Sequence, residues 1–175
     1  IHLVYAVLSK RYPHIDFIDG YMIPTLQRRY SPDILGRRQL MRAVQARPGR
    51  KKINFIVNYY PVDPDTELCT MLRSSGWEIG DFANCRTYEE YKDLGAGKTN
   101  IFFLENSRPA AEDMEKRLHQ ESLYLPYSFF YEEIRANLKI AAERFDLTLP
   151  DCDAYEEAIE RKAAELKVNI GNIPI

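Results

Sequence analysis

Between residues 51 and 145 the chain repeats one order, a short apolar run followed by a charged, helix-like run. The third of these pairs, at residues 99–118, is the clearest. Its apolar run shows no alternation, which is typical of a strand buried on both faces, and hence of a parallel sheet covered by helices. Polarity changes at Asn106 and Ser107, where we predict that the strand ends and a helix begins with Ser107 as its N-cap. Open α/β sheets place their ligands at such carboxyl ends of strands.

The same pattern extends along the chain and predicts four strands, at residues 53–59, 77–82, 100–104 and 122–125. Helices are predicted between them: one opens at residues 63–65, one has a capping box from Thr87 to Glu90, and one follows Ser107. Two longer helices are predicted at residues 131–145 and 153–168. Four short βα units indicate a doubly wound, mainly parallel four-stranded sheet flanked by helices, which is a Rossmann-like α/β fold.

The first fifty residues are less regular. Residues 3–8 are predicted to form a strand or the remnant of a buried helix. The alternation of apolar and polar residues at residues 15–19 predicts a half-buried strand. Ser31, Pro32 and Asp33 are a strong helix start. We predict three parts: residues 1–50 as the end of a preceding domain with a crossing helix, 51–150 as the α/β domain, and 151–175 as a helix and linker. Because the chain opens without Met, we expect it to be a piece of a longer protein.

The composition is that of a globular protein, with 45% hydrophobic and 29% charged residues among 175. No apolar run approaches the roughly 20 residues that cross a bilayer, so no membrane association is predicted. Three widely spaced cysteines argue against a disulfide framework and favour a reducing cytoplasm.

The net charge of −2 conceals an asymmetry, because residues 1–52 hold 11 Lys/Arg against 3 Asp/Glu, about +8, and the rest about −10. The basic block consists of Arg37, Arg38, Arg42, Arg47, Arg50, Lys51 and Lys52. It could meet phosphate or an acidic partner, or it could be a solvated helix face and loop complemented by the acidic half of the same chain. We favour the second interpretation. A pI near 6.0 gives no support to nucleic-acid binding.

Nucleotide-binding motifs are not found where they would be needed. Residues 95–99 look like the end of a P-loop, but they lead from a helix into a strand, the wrong order for cradling phosphate. No glycine-rich turn follows the first strand, where Tyr60 and Pro61 stand. Aromatic residues at strand ends, such as Tyr59 and Tyr60, could line a pocket or seal an interface, and we favour an interface.

Cys85 is the only cysteine near the predicted carboxyl rim of the sheet. It could be a cluster ligand or a reactive thiol. One thiolate cannot hold an iron–sulfur cluster alone, although a subunit interface could supply the others. Cys69 lies on the apolar stripe of a predicted helix and is expected in the core.

Residues 52–145 resemble the middle α/β domain of nitrogenase component 1-type oxidoreductases. The resemblance is carried by motifs in a fixed order: the first strand from Ile53, the helix closing on Ser75 and Gly76, the Thr87 capping box, the third strand with Ser107, and the segment of residues 124–128 before the following helix. Upstream, Pro24 and Leu35-Gly36-Arg37 stand where that family crosses into this domain.

The resemblance implies electron-transfer chemistry in an intact protein. It implies a paired homologous subunit, an ATP-dependent iron protein-like reductase as electron donor, and an iron–sulfur cluster with ligands outside this chain. Arg37 stands about where the family's active-site histidine precedes a helix. The third strand ends in Leu104 or Glu105, where the molybdenum–iron α-type subunit has its cofactor-binding cysteine, so that cofactor is not expected here.

Two functions follow from these expectations. In the first, the chain is part of a nitrogenase-like reductase subunit and its carboxyl rim faces a metal or tetrapyrrole site; the rim residues are Tyr60, Asn84, Cys85, Asn106, Ser107 and Arg108, with Arg37 nearby. In the second, it is a non-catalytic α/β module that binds a small anion or a protein partner through the same rim and the basic block. In either case we expect the 175-residue chain alone to be catalytically inactive.

Overall fold

Four strands form one all-parallel sheet in the computed structural model, which describes residues 2–18, 20 and 30–170. They are β1 (Lys52–Phe55), β2 (Glu78–Asp81), β3 (Thr99–Phe102) and β4 (Glu121–Tyr124), arranged in the order β2-β1-β3-β4. β1 and β3 are fully buried along their length, as their unbroken strand runs require. The predicted α/β fold with a four-stranded parallel sheet flanked by helices is confirmed.

The chain divides into two units, Ile1–Tyr127 and Ser128–Ile175. The first unit holds the sheet and five α-helices among its described residues: α1 (His2–Arg11), α2 (Pro32–Arg42), α3 (Glu67–Ser74), α4 (Tyr88–Lys92) and α5 (Arg108–Leu118). Three short 3-10 turns, Phe82–Asn84, Asp93–Ala96 and Glu105–Ser107, join strands to helices. None of the helices in the described ranges is long and apolar enough to cross a membrane.

The second unit contains the two predicted C-terminal helices, α6 (Tyr131–Phe145) and α7 (Cys152–Ile170). Arg135 of α6 joins them, because its Nη2 lies 2.7 Å from an Asp153 oxygen and 2.6 Å from a Glu156 oxygen. The Tyr131 hydroxyl donates to Glu160 over 2.9 Å. α7 begins at Cys152, one residue before the predicted start at residue 153.

Local signals set the helix ends correctly in three places. The Ser31 hydroxyl accepts a hydrogen bond from the Ile34 amide and caps α2, which begins at Pro32 as predicted. The capping box from Thr87 to Glu90 is present in both directions. α3 ends before Gly76, whose φ of +74° is one that glycine adopts without steric cost.

The core of the first unit lies where α2, α5 and the turn Asp93–Ala96 pack against one face of the sheet. Its members are apolar and 2% exposed or less; they are Met41, Val44, Ile56, Val57, Leu94, Phe102, Ala110, Ala111 and Met114. α5 supplies three of these residues and α2 supplies Met41, and the two helices pack against each other. Cys69 is buried in α3, as its place on an apolar stripe predicted.

Three buried amides cross the sheet in a relay formed by Asn54 of β1, Asn100 of β3 and Gln120, the residue before β4. Asn54 Nδ2 donates to Asn100 Oδ1 over 2.9 Å, and Asn100 Nδ2 donates to Gln120 Oε1 over 3.0 Å. Both ends of the relay are bonded to the turn Asp93–Ala96, because Asn54 and Gln120 each donate to the Leu94 carbonyl over 2.8 Å. All three side chains are 2% exposed or less, so each lost bond would leave a desolvated polar group.

Two glycines make room for this relay. A Cβ atom on Gly97 would lie 2.2 Å from Asn54 Nδ2, and one on Gly80 would lie 2.7 Å from Asn54 Oδ1. Side chains at these positions would push the Asn54 amide out of its place. Glycine is therefore required at positions 80 and 97, because the Asn54 side chain lies close to the backbone at both.

Several predictions for the first fifty residues were wrong or lie outside the described ranges. Residues 3–8 belong to helix α1, so the helix alternative is right, but residues 3–7 are exposed rather than buried, with Leu3 78% accessible. Residues 15–18 form no strand, because the alternating side chains there meet no sheet edge to pair with. Asp19, the end of that predicted strand, and Pro24 lie outside the described residues.

Three of the four strands, β1, β2 and β3, are shorter than their predicted runs. β1 was predicted to reach residue 59 but ends at Phe55, because Val57 adopts a left-handed φ of +51° that extended pairing does not accommodate. α3 begins at Glu67 rather than at residues 63–65, since Asp63 forms a turn with the amide of Asp65 instead. The predicted domain boundaries near residues 50 and 150 stay predictions.

We expect Asn100→Leu to lower the free energy of unfolding by about 2–4 kcal/mol, because it strands one Asn54 donor and the Gln120 acceptor in the interior. Ser122→Ala is the matched control, since Ser122 pairs with Asn100 across β3 and β4 and makes only a 3.4 Å bond to Ala111. Its effect should stay below about 1 kcal/mol. Urea unfolding of both variants measures the difference, and equal losses would show that the relay carries no special stability.

Candidate functional site

The order of the strands defines a switch point between β1 and β3. The chain leaves β1 toward β2 on one side, and it leaves β3 toward β4 on the other. At such a point the connections diverge and leave a crevice at the carboxyl ends of the two central strands. The segments that emerge there are residues 56–60 after β1 and 103–107 after β3.

Arg37 is the most buried cation at this point, with 7% of its surface exposed. It comes from within α2 and donates through Nε to Asp33 Oδ2 over 2.9 Å, and through Nη1 to the Val57 carbonyl. Its guanidinium carbon also lies 4.1 Å from the centre of the Tyr59 ring, a cation–π contact. Three different bonding partners hold the guanidinium plane in one orientation.

Asp33 accepts hydrogen bonds from several polar groups around Arg37. Besides the guanidinium, it accepts a hydrogen bond from Asn106 Nδ2 over 3.3 Å and from the Tyr59 hydroxyl over 3.5 Å. The hydrogen bond from Arg37 lowers the pKa of the Asp33 carboxyl below its usual value. The first turn of α2 is thereby joined to the ends of both central strands.

Ser107 is almost fully buried and donates its hydroxyl to the Val57 carbonyl over 3.3 Å. Ser107 occupies the N-cap position of α5, as predicted, but its side chain makes no capping bond. Its backbone is already helical, with φ −87° and ψ −13°, whereas a capping residue is extended. The Ser107 hydroxyl instead bonds to the Val57 carbonyl, just beyond the end of the neighbouring strand β1.

Val57 is strained at the centre of these contacts. A β-branched residue at φ +51° costs on the order of 1–3 kcal/mol and persists only where the surroundings hold it. Here its carbonyl accepts from both Arg37 and Ser107 while its side chain is buried. We name Asp33, Arg37, Val57, Tyr59, Asn106 and Ser107 the switch-point cluster.

Arg108 is not part of this cluster. It forms a two-bond pair with Glu105, at 2.5 and 2.9 Å, and its guanidinium lies over the rings of Phe102 and Tyr124 at 5.4 and 5.1 Å. The same pair lowers the pKa of Glu105. The positive charge of Arg108 is thus already matched at the ends of β3 and β4.

Cys85 lies beyond the carboxyl end of β2, one strand away from the switch-point cluster. Its thiol donates to the Asp81 carbonyl over 3.3 Å. Burial raises the pKa of the Cys85 thiol, and the nearby charges of Glu90 and Asp81 raise it further. A metal ligand or nucleophile needs the thiolate, so this environment suits neither role.

An iron–sulfur cluster does not fit the side chains of the described residues. No group of three or more His, Cys, Asp or Glu in those ranges could hold a metal ion. All three cysteines are free thiols, and each stands on a different element or loop.

Salt bridges neutralise most of the basic block within the first unit. Arg38 and Arg117 both bond to Asp113, which is 8% exposed. The loop cations bond to α4 and the turn after it; the pairs are Arg47 with Glu89, Arg50 with Asp93 and Lys52 with Asp93. The interpretation favoured from the sequence, a cationic segment complemented by acids of the same chain, is confirmed.

Sequence reasoning found part of the switch-point cluster. Arg37, Asn106 and Ser107 were named and do lie together, whereas Cys85 and Arg108 lie elsewhere on the rim. Asp33 was assigned only to the start of a helix and Tyr59 only to an aromatic patch. The left-handed turn at Val57 had no signal, because nothing in a valine predicts a positive φ.

No family model matches this chain, and no curated protein matches it. The class of protein that the structure establishes is an α/β domain with a four-stranded parallel sheet. The resemblance to nitrogenase component 1-type subunits stays a prediction.

We expect Arg37→Ala to lower the free energy of unfolding by about 1–3 kcal/mol at pH 7, because it removes a buried bond to Val57 as well as the pair with Asp33. Arg37→Lys should recover only part of this, since one ammonium cannot reproduce the planar fork. Arg42→Ala is the control: Arg42 is on the same helix, 55% exposed, and its salt bridge within the described part of the chain is a long one, 3.8 Å to Asp113. Urea unfolding measures all three variants.

The pH dependence of the same comparison tests the Asp33 pair. A carboxyl whose folded pKa is lowered stabilises the fold above its unfolded pKa, near 3.8, and loses that contribution as pH falls through the folded value. The gap between wild type and Arg37→Ala should therefore narrow below about pH 4. A gap that stays constant down to pH 2 would contradict the ion pair.

We expect iodoacetamide to modify Cys85 at least about tenfold more slowly in the folded chain than in urea at pH 7, because only the thiolate reacts. The folded-state rate should rise at higher pH than the unfolded-state rate, as a raised pKa requires. Peptide mass spectrometry follows the reaction, and Cys85→Ser identifies the peptide. A folded-state rate equal to or above the unfolded one would mark Cys85 as a reactive thiol after all.

Proposed function

We propose that this chain is the α/β domain of a nitrogenase component 1-like oxidoreductase subunit, and that the switch-point cluster forms part of the wall of its reaction cavity. The observation that carries the proposal is the strained Val57 turn. Backbone strain clusters at functional sites. Here the strained turn is held by a buried arginine and a buried serine, and it lies at the point where open α/β sheets bind ligands.

The cluster suits a positioning and sealing role. Arg37 is fully engaged, so its charge sets the local potential without being free to bind a small anion directly. Tyr59 is 62% exposed, so its ring can contact a substrate or a neighbouring subunit. Asn106 ties the end of β3 to the same carboxylate and keeps the two strand ends at one spacing.

Electron transfer in the intact protein would depend on groups outside the described residues. An iron–sulfur cluster supplies one-electron chemistry when it is bound, and the side chains here do not provide its ligands. A paired homologous subunit and an ATP-dependent iron protein-like reductase belong to this proposal as partners. The residues of this chain would contribute cavity wall and interface.

The alternative is a non-catalytic module that binds a small anion or a protein partner. The pairing of the basic block with Asp93, Glu89 and Asp113 gives the small-anion form of it no support, since most of those cations are already neutralised. The two functions differ in whether the natively expressed polypeptide carries iron.

We expect the natively expressed polypeptide, purified without oxygen, to contain iron and acid-labile sulfide in stoichiometric amounts and to copurify with a homologous subunit. In that protein Arg37→Ala should lower the rate of MgATP-dependent electron acceptance at least about tenfold at unchanged iron content, because the cavity wall loses its orienting cation. Arg42→Ala should leave both the rate of electron acceptance and the iron content unchanged. Colourless, metal-free protein would contradict the proposal and favour the binding module.

A further inference from the structure

Three apolar side chains of α7 are exposed in a row; we name Tyr155, Ile159 and Leu166 the α7 stripe. Their exposed fractions are 48%, 49% and 50%. A helix turns once in 3.6 residues, so their spacing of four and then seven residues places them on one side of α7. Lys162 stands on the same side, between the last two. Side chains with this spacing form the contact side of paired helices.

The second helix of this unit, α6, does not cover the α7 stripe. Among the α7 residues whose exposure is described, only Cys152, Glu156 and Ala163 are partly buried, and the others are exposed. Arg135 of α6 bonds to Asp153 and Glu156, on a different side of the helix from the stripe. Most helical stability in proteins comes from packing of an apolar side. The open stripe is therefore a surface that a partner would stabilise.

The two halves of α7 carry opposite charge. Residues 152–160 hold four acidic side chains and no Lys or Arg, which gives −4, whereas residues 161–170 hold three cations against Glu165, which gives +2. The helix dipole favours acids in the first turn only. Here the acids extend to Glu160, in the middle of the helix, so the division of charge exceeds what the dipole accounts for.

The cations of the second half are not neutralised within the described part of the chain. The salt bridges of α7 in those ranges involve Asp153 and Glu156. Arg161, Lys162 and Lys167 form none there, although Glu157 stands one turn before Arg161 on the same helix. Both signs of charge on α7 are thus open to an ion pair with another chain.

We propose that the α7 stripe is a contact surface between two copies of this chain, with their α7 helices side by side and antiparallel. In this orientation Tyr155 of one copy meets Leu166 of the other, and each acidic half lies beside a basic half. A parallel pair would set −4 against −4, which like-charge repulsion disfavours. The inference concerns a surface apart from the switch-point cluster and does not depend on the proposed function.

A reversed copy of α7 matches this surface better than a partner of one charge. A segment that is acidic or basic throughout would be attracted by one half of α7 and repelled by the other. A twofold pair instead uses the same patch on both copies, and the antiparallel orientation satisfies both halves at once. Ala158 and Ala163 flank the stripe on either side, so no bulky side chain there keeps a second helix away.

Sedimentation equilibrium of the 175-residue chain tests for the pair. We expect a reversible monomer–dimer equilibrium with a dissociation constant on the order of 10–100 μM, because two helices bury less surface than a standard interface. Ile159→Glu should raise that constant at least about tenfold, since it puts a charge into the contact. Ile140→Glu is the matched control: Ile140 belongs to α6, is 45% exposed and lies outside the stripe, so the constant should not change.

Lys162→Leu should have the opposite effect. It replaces the charged residue within the row of apolar side chains by an apolar one, and should lower the dissociation constant at least about tenfold. This variant decides the matter even if Ile159→Glu unfolds α7, which a loss of helical circular dichroism would reveal.

Disulfide crosslinking determines the orientation. Chains with Tyr155→Cys and chains with Leu166→Cys, both with Cys85 and Cys152 replaced by serine, are oxidised separately and mixed. The mixture should crosslink and neither variant alone should, because in the antiparallel pair each introduced thiol faces the other kind. The two thiols at position 155 would be about 16 Å apart along the helices, and a disulfide requires Cα atoms within about 7 Å.

Three results would overturn the proposal. A chain that stays monomeric up to about 1 mM would leave the α7 stripe to a different polypeptide. Crosslinking of the Tyr155→Cys chains by themselves would mean a parallel pair and would refute the charge argument. A dissociation constant that neither Ile159→Glu nor Lys162→Leu changes would place the contact between copies elsewhere on the chain.

Discussion

The amide relay of Asn54, Asn100 and Gln120 is the interaction on which the geometry of the first unit depends. Each amide is buried, and a shift of one strand by one residue would turn its amide to the other face and leave several polar groups unpaired in a medium of low dielectric constant. The relay therefore specifies which residues of β1 and β3 stand side by side. That register decides where the two central strands end and which atoms meet at the switch point.

Charge pairing then fixes the helix that completes the site. Asp113 of α5, buried against α2, binds Arg38 and Arg117, and Arg117 also donates to the Met41 and Val44 carbonyls over 3.0 and 3.1 Å. The Met41 carbonyl belongs to the last turn of α2, and the Val44 carbonyl lies just beyond the helix, so Arg117 bonds to both carbonyls where α2 ends. Satisfying them holds α2 in one position over the sheet, which brings Arg37 within reach of the strained Val57 turn.

Much of the fold was predictable because its signals are local or periodic. Buried strand runs, the Ser31 and Thr87 caps and the glycine stop at Gly76 each act within a few residues of chain. The switch-point cluster was predictable only in part. Asn106 and Ser107 follow a strand and were found by position, whereas one hydrogen-bond partner of Arg37, the Val57 carbonyl, is separated from it by 20 residues. The exact end of β1 depends on that contact, so the sequence overestimated the strand.

The sequence by itself determined the order of elements, the parallel sheet and the internal compensation of its two oppositely charged parts, because hydrophobic period, caps and charge totals are properties of the chain before it folds. Only the tertiary structure decided that Arg37 meets Asp33 and Val57, and that the Ser107 hydroxyl bonds to the Val57 carbonyl beyond β1 rather than to its own helix. The contacts to Val57 join groups that are distant in the sequence. Strand register and helix packing determine which of these groups come within hydrogen-bond distance of each other.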